Sequence, residues 1–117
     1  MTFGDYLRGD VYMVDMAAKY NIEPEELRPC VIISQTLINL SRRTIVVVPT
    51  SSVMKAAPPL VIDNKASWGS EHPNVIMCDQ LRAISRNRIR DRIGALLAED
   101  LKALERALRF ILNIKGL

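Results

Sequence analysis

Histidine occurs once in this chain of 117 residues, at His72, and cysteine twice, at Cys30 and Cys78. One imidazole and two separated thiols cannot build a site of three or four metal ligands, so no metal and no cofactor is expected. Val, Ile and Met surround both cysteines, which therefore read as small buried hydrophobes with free thiols in preference to a disulfide. No apolar run approaches the roughly 20 residues of a membrane span, and no basic segment followed by a long apolar core opens the chain. A cytoplasmic protein with no membrane partner is expected. Repeats, linkers and low-complexity segments are also missing, which leaves a single domain over residues 1–117.

What is present is ordinary in amount and uneven in arrangement. Hydrophobic residues make up 49% of the chain and charged residues 25%, enough apolar side chain for a packed core and against disorder. The net charge is +3, carried by eleven arginines and five lysines. Five of the arginines lie between Arg82 and Arg92, whereas Glu23, Glu25 and Glu26 crowd the segment before Arg28. A small basic excess points only weakly to nucleic acid, although the planar guanidinium suits phosphate better than an ammonium does.

Short β-branched runs dominate the first two thirds. Val11 to Val14, Cys30 to Ile33, Ile45 to Val48 and Val75 to Cys78 read as strands, with Leu81 to Ile84 continuing the last beyond a bend at Asp79-Gln80. Leu60 to Ile62 follows Pro58-Pro59 and reads as an edge strand, because proline cannot donate to a ladder. Asn39 to Arg43 supplies a turn between the second and third strands. Ser85 is placed to cap a helical turn over Arg86-Asn87-Arg88, and the Ile89 to Ile93 segment fits helix or strand. From Ala98 to Asn113 the spacing predicts a helix with Leu101, Leu104, Leu108, Ile111 and Leu112 on one stripe and Gly116 as its terminator. Several short strands closed by one C-terminal amphipathic helix imply a mainly β fold, a small bent sheet or barrel.

Two polar interruptions frame the central runs: Arg28-Pro29 before the second strand and Thr50-Ser51-Ser52 after the third. Antiparallel pairing brings both to one end of the sheet, where a cation and a hydroxyl make a candidate phosphate site. Other readings of the same residues are a rim ion pair of Arg28 with Glu25 or Glu26, and for Thr50 a strand-end hydroxyl satisfying a turn.

Five segments in order, RGDVY at 8 to 12, LRPCVIIS at 27 to 34, TIVVVPTSS at 44 to 52, VIMCDQLRAIS at 75 to 85 and RIRDRIGAL at 88 to 96, resemble the MazF/PemK/Kid family. The resemblance covers essentially the whole chain. It implies an SH3-like barrel of the CcdB/MazF type, a homodimer, and a metal-independent endoribonuclease that cuts single-stranded mRNA at a short sequence. It further implies a toxin held inactive by a cognate, partly disordered antitoxin. By position, Arg28 and Thr50 correspond to the residues tied to cleavage, and Glu23 to the glutamate given a general-base role in some members. Ile22-Glu23-Pro24-Glu25-Glu26-Leu27 departs from the family's pattern before the RP motif, and Ser85 stands where some members carry an aspartate.

Metal-free cleavage needs the ribose 2′-OH deprotonated, the phosphoryl oxygens stabilised and the 5′-oxygen assisted as it leaves. Arg28 suits the second task, Thr50 can donate to a non-bridging oxygen, and Glu23 is the nearest candidate base in sequence. Gln80 and Arg82 support from the neighbouring strand, Ser51 and Ser52 extend the rim, and Arg86, with Arg42, Arg43, Arg88, Arg90 and Arg92, could track phosphates. Trp68 offers a surface for a base to stack on, or packs over its own loop or a dimer partner. The alternatives are a catalytically silent homologue, or a gyrase poison like the related CcdB toxins, whose C-terminal Trp-Gly-Ile is replaced here by Ile114-Lys115-Gly116-Leu117.

Overall fold

The computed structural model describes residues 6–17, 25–51, 61–64 and 74–115. Glu23, Ser52, Trp68, His72 and Gly116 lie outside the described residues, so their expected roles carry no structural account. Seven described strands, β1 (Asp10–Asp15), β2 (Leu27–Ile32), β3 (Thr44–Ser51), β4 (Val61–Asn64), β5 (Asn74–Met77), β6 (Arg82–Ser85) and β7 (Ile89–Ala95), precede the long helix. That helix, α2, spans Ala98–Ile111, and a four-residue helix, α1 (Thr36–Asn39), lies between β2 and β3.

All the pairings are antiparallel, in the order β4-β5-β3-β2-β1-β7, with β6 also on β3. The strand beginning near Leu60 is at the sheet edge as expected. The segment from Asn74 to Ser85 runs along β3 twice. β5 pairs with the end of β3 at Thr50↔Ile76, and β6 with its start at Val47↔Arg82. Three steps along β3 are thus opposed by six on the other chain, and a 3-10 turn at Cys78–Gln80 takes up the excess. Cys78 belongs to this turn rather than to a strand.

Both faces of the sheet are buried. Val11, Val31, Ile33, Val48 and Ile76 pack on one face with Cys78, under Leu104, Ala107 and Leu108 of α2. Tyr12, Val14, Cys30, Ile32, Ile45, Val47, Ile84 and Ile89 pack on the other. Double burial explains why β2 and β3 are continuous apolar runs instead of alternating ones. The Ile89 to Ile93 segment is a strand: β7 pairs with β1, with bulges on either side of Tyr12, and is exposed from Arg90 to Arg92.

The helix ends two residues earlier than the spacing predicts. Asn113 takes φ 55°, its N–H bonds to the Phe110 carbonyl (3.2 Å) and the Ile114 N–H to the Arg109 carbonyl (2.9 Å). This pair of bonds closes the helix in a Schellman motif, with Asn in the left-handed position that usually falls to glycine. Leu112, 47% exposed, therefore drops off the predicted apolar stripe. No helix among the described residues is long and apolar enough to cross a membrane.

Candidate functional site

Pro29 on β2 and Pro49 on β3 lack N–H groups, and the β2/β3 ladder stops at the Cys30↔Pro49 pair. Beyond it the seam is closed by a side chain: Thr50 Oγ1 donates to the Pro29 carbonyl at 2.8 Å. Thr50 is 2% exposed. Arg28, by contrast, stands half in solvent, with Nε (3.3 Å) and Nη2 (3.1 Å) both donating to Oε1 of Glu26. The rim ion pair thus exists, as one of two acceptors offered by the sequence, and the hydroxyl bonds a main-chain carbonyl one residue from Arg28.

Register refines the hairpin argument. Arg28 lies opposite Val14, a residue of the core face without the helix, whereas Thr50 lies opposite Ile76 on the helix-covered face. The two residues share a sheet end but not a face, because side chains alternate along a strand. Thr50 reaches the seam only at the Pro29 carbonyl, one residue from Arg28. On Arg28's own face the neighbour across that seam, continuing the same register, is Ser51.

Arg82 joins this face through its pairing with Val47. Burial pushes the Cys30 thiol up to about 12, and the nearby positive charges of Arg82 and Arg28 only partly oppose that rise. Register alone places Arg28, opposite Val14, and Arg82, opposite Val47, on the same face of the sheet. Gln80 is exposed, in the 3-10 turn that leads into β6.

The remaining arginines depart from the expectation of a phosphate track. Arg86 donates from Nε to the Arg42 carbonyl (3.1 Å) and from Nη2 to the Asn39 carbonyl, and it stacks over the Tyr6 ring at 5.0 Å. Its guanidinium holds α1 and the β3 entrance. Arg88 donates to the Ala17 carbonyl (2.7 Å), Arg90 pairs with Glu25 (3.0 Å) and Asp15 (3.7 Å), and Arg92 forks onto Asp10 at 3.1 and 3.3 Å. Only Arg42 and Arg43 of the proposed track are simply exposed side chains at the β3 entrance. Ser85 precedes the turn it was expected to cap, but its hydroxyl donates to Asn87 Oδ1 (2.7 Å) instead of accepting a main-chain N–H.

Two residues escaped the sequence reading. Asn39, 1% exposed, donates to the Tyr6 and Ser34 carbonyls and accepts the Ser34 hydroxyl, fixing the β2–β3 connection. Asp15 accepts the Ala17 and Glu26 N–H groups on one oxygen, each at 3.0 Å. These main-chain bonds, with smaller help from Arg88 and Arg90, hold its carboxyl below the usual aspartate range. An aspartate at a strand end two residues before a free N–H was the available signal for the first bond; nothing local announces the second.

The family described as PemK-like, MazF-like toxin of type II toxin-antitoxin system matches residues 7–112. The chain is 32% identical to Endoribonuclease EndoA of Bacillus subtilis (strain 168) over 109 residues, covering 92% of this chain and 94% of that protein. Endoribonuclease MazF of Staphylococcus saprophyticus is 28% identical over 109 residues, 92% and 91% covered. Among solved structures, a MazE-MazF crystal structure (Form-II) from Deinococcus radiodurans superposes with a TM-score of 0.79 at 19% identity, covering 93% of this chain and 96% of that one. An endoribonuclease in complex with its cognate antitoxin from a Mycobacterial species gives 0.77 at 17% identity, with 95% and 98% covered.

Proposed function

The chain belongs to the PemK-like, MazF-like toxin family of type II toxin–antitoxin systems, and from that premise we propose that it is an endoribonuclease cutting single-stranded mRNA at a short sequence without a metal ion. The 2′-OH of the ribose attacks the adjacent phosphorus, the P–O5′ bond breaks, and the products are a 2′,3′-cyclic phosphate and a 5′-OH that takes up a proton. Arg28 stabilises the extra negative charge on the phosphoryl oxygens. A preorganised donor of this kind typically contributes on the order of a hundredfold to a thousandfold in rate. It supports this assignment that Arg28 already holds an anionic oxygen of Glu26 with two N–H groups, donors that suit a phosphoryl oxygen equally.

Arg82 adds a second positive charge on the same face, and Ser51 and Gln80 line the strand's course past it; Ser52 is assigned to the same substrate contact by its place in the sequence. Thr50 contributes from the seam, its hydroxyl exchanging the Pro29 carbonyl for a non-bridging oxygen. Glu23 is the assigned base for the 2′-OH, and Trp68 the stacking surface for a base. The single observation that carries the reading is the half-exposed Arg28 guanidinium beside the end of the interrupted β2/β3 ladder, where it already holds a carboxylate oxygen.

Relatives solved with antitoxins support a cognate antitoxin as the partner here, acting on a cytoplasmic homodimer. The test is product chemistry. An oligoribonucleotide cut by the wild-type protein in chelator should yield a cyclic phosphate detectable by mass, and a single 2′-deoxy substitution at the scissile position should abolish the cut. Cleavage of the deoxy substrate at an unchanged rate would rule the mechanism out.

A further inference from the structure

We propose that Asp15 is a positioning residue for Arg28, fixing both flanks of the segment 18–24 and, through Glu26, the resting pose of the catalytic guanidinium. The inference rests on the nuclease reading for its kinetic arm only. One carboxylate oxygen of Asp15 takes the N–H of Ala17, where the chain leaves β1, and the N–H of Glu26, where it returns to β2. The Met16 N–H bonds to the Glu26 carbonyl at 2.7 Å, so Glu26 is gripped at both its main-chain groups.

The side chain of the same Glu26 holds Arg28. A continuous run of bonds therefore leads from Asp15 through the Glu26 backbone to the Arg28 fork. From the other side, β7 and the turn before it brace the junction. Arg88 donates to the Ala17 carbonyl and, at 3.4 Å, to the Asp15 carbonyl; Arg90 links Glu25 to Asp15 and donates to the Asn87 carbonyl at 2.7 Å. Asp15 is the one group in this junction that touches both flanks of the 18–24 segment with a single atom.

Acceptor geometry and charge are separable here. Asp15→Asn keeps an Oδ1 able to accept both N–H groups and loses the attraction for Arg90, while Asp15→Ala loses both. If Asp15 positions Arg28 chiefly by accepting hydrogen bonds, then the alanine variant misplaces the guanidinium by an ångström or so, which costs about a hundredfold.

The experiment combines amide hydrogen exchange by NMR with steady-state cleavage of an oligoribonucleotide for wild type, Asp15→Ala and Asp15→Asn. The expected result is loss of protection at the Ala17 and Glu26 amides in Asp15→Ala with strand β3 protection intact, kcat lowered by about a hundredfold with KM changed little, and recovery of most of both in Asp15→Asn. Unchanged protection at those two amides in Asp15→Ala would overturn the proposal. So would lost protection with an unchanged kcat, or an asparagine variant as impaired as the alanine. A wild-type protein that cuts no RNA would strike the nuclease reading instead, and the exchange data alone would then decide the junction.

Discussion

Asp15 and Cys30 show how the same protein interior moves two titrations in opposite physical senses. Hydrogen bonds to the ionised form depress the Asp15 carboxyl, so its stabilising contribution is whole above the unfolded value of about 3.9 and is lost as pH falls through the lower folded value. Thermal midpoints measured from about pH 5 down to about pH 2 should therefore fall less steeply in Asp15→Asn than in wild type. For Cys30, burial raises the thiol to about 12, far above the roughly 8.5 of a free thiol, and leaves almost no thiolate at neutral pH. Cys30 should resist alkylation by iodoacetamide at about pH 8 in the native protein and react once denaturant is added. The positions of Arg28 and Thr50 at one sheet end were legible because two apolar runs with a turn between them admit few pairings. Their placement on opposite faces was not legible, since it depends on the register set by two prolines at the seam. The arginines were legible only as charge. Arg86, Arg88, Arg90 and Arg92 reach carbonyls and carboxylates far away in sequence, and long flexible side chains carry no local signal of their partners.

At the scale of elements, strands announced by β-branched runs formed where the runs lay, and errors collected at ends and junctions. Helix α2 stops at Ile111 because the left-handed Asn113 beyond it lets the last carbonyls be satisfied, a solution that a search for glycine passes over. Asn113→Gly should leave stability unchanged or slightly higher. Asn113→Ala, with a Cβ disfavoured at that φ and no polar side chain, should lose about 1 kcal/mol, read from chemical denaturation. The 3-10 turn at Cys78–Gln80 was visible only as a bend, because its purpose is set by β3: it slips the chain between two pairings with one strand. Of α1 only Asn39 belongs to the turn expected over Asn39 to Arg43, and a four-residue helix gives too short a periodic pattern to register. Its exposed Leu37 and Ile38 offer no apolar face toward the core, and Arg86 and Asn39 hold it instead.

The whole molecule is a bent antiparallel sheet buried on both faces, and the helix-covered core is organised around Leu104, which is fully buried. Leu104→Ala should cost about 2–5 kcal/mol, the range for removing a buried leucine from a core that collapses only in part. The same change should leave Arg28, which lies on the other face, and Thr50, held on the Pro29 carbonyl, in place, so kcat of the folded fraction should match wild type when measured well below the melting transition. Double burial matters for function in one respect: the β2/β3 ladder is packed on both faces as far as the Cys30↔Pro49 pair and is interrupted only beyond it. There the charged groups gather. The most direct test of the central claim is the cleavage rate of a fluorogenic single-stranded RNA, in chelator, by wild type and Arg28→Ala at matched folded concentration. A loss on the order of a hundredfold or more with retained fold is predicted, and an Arg28→Ala protein that cleaves as fast as wild type would contradict the account.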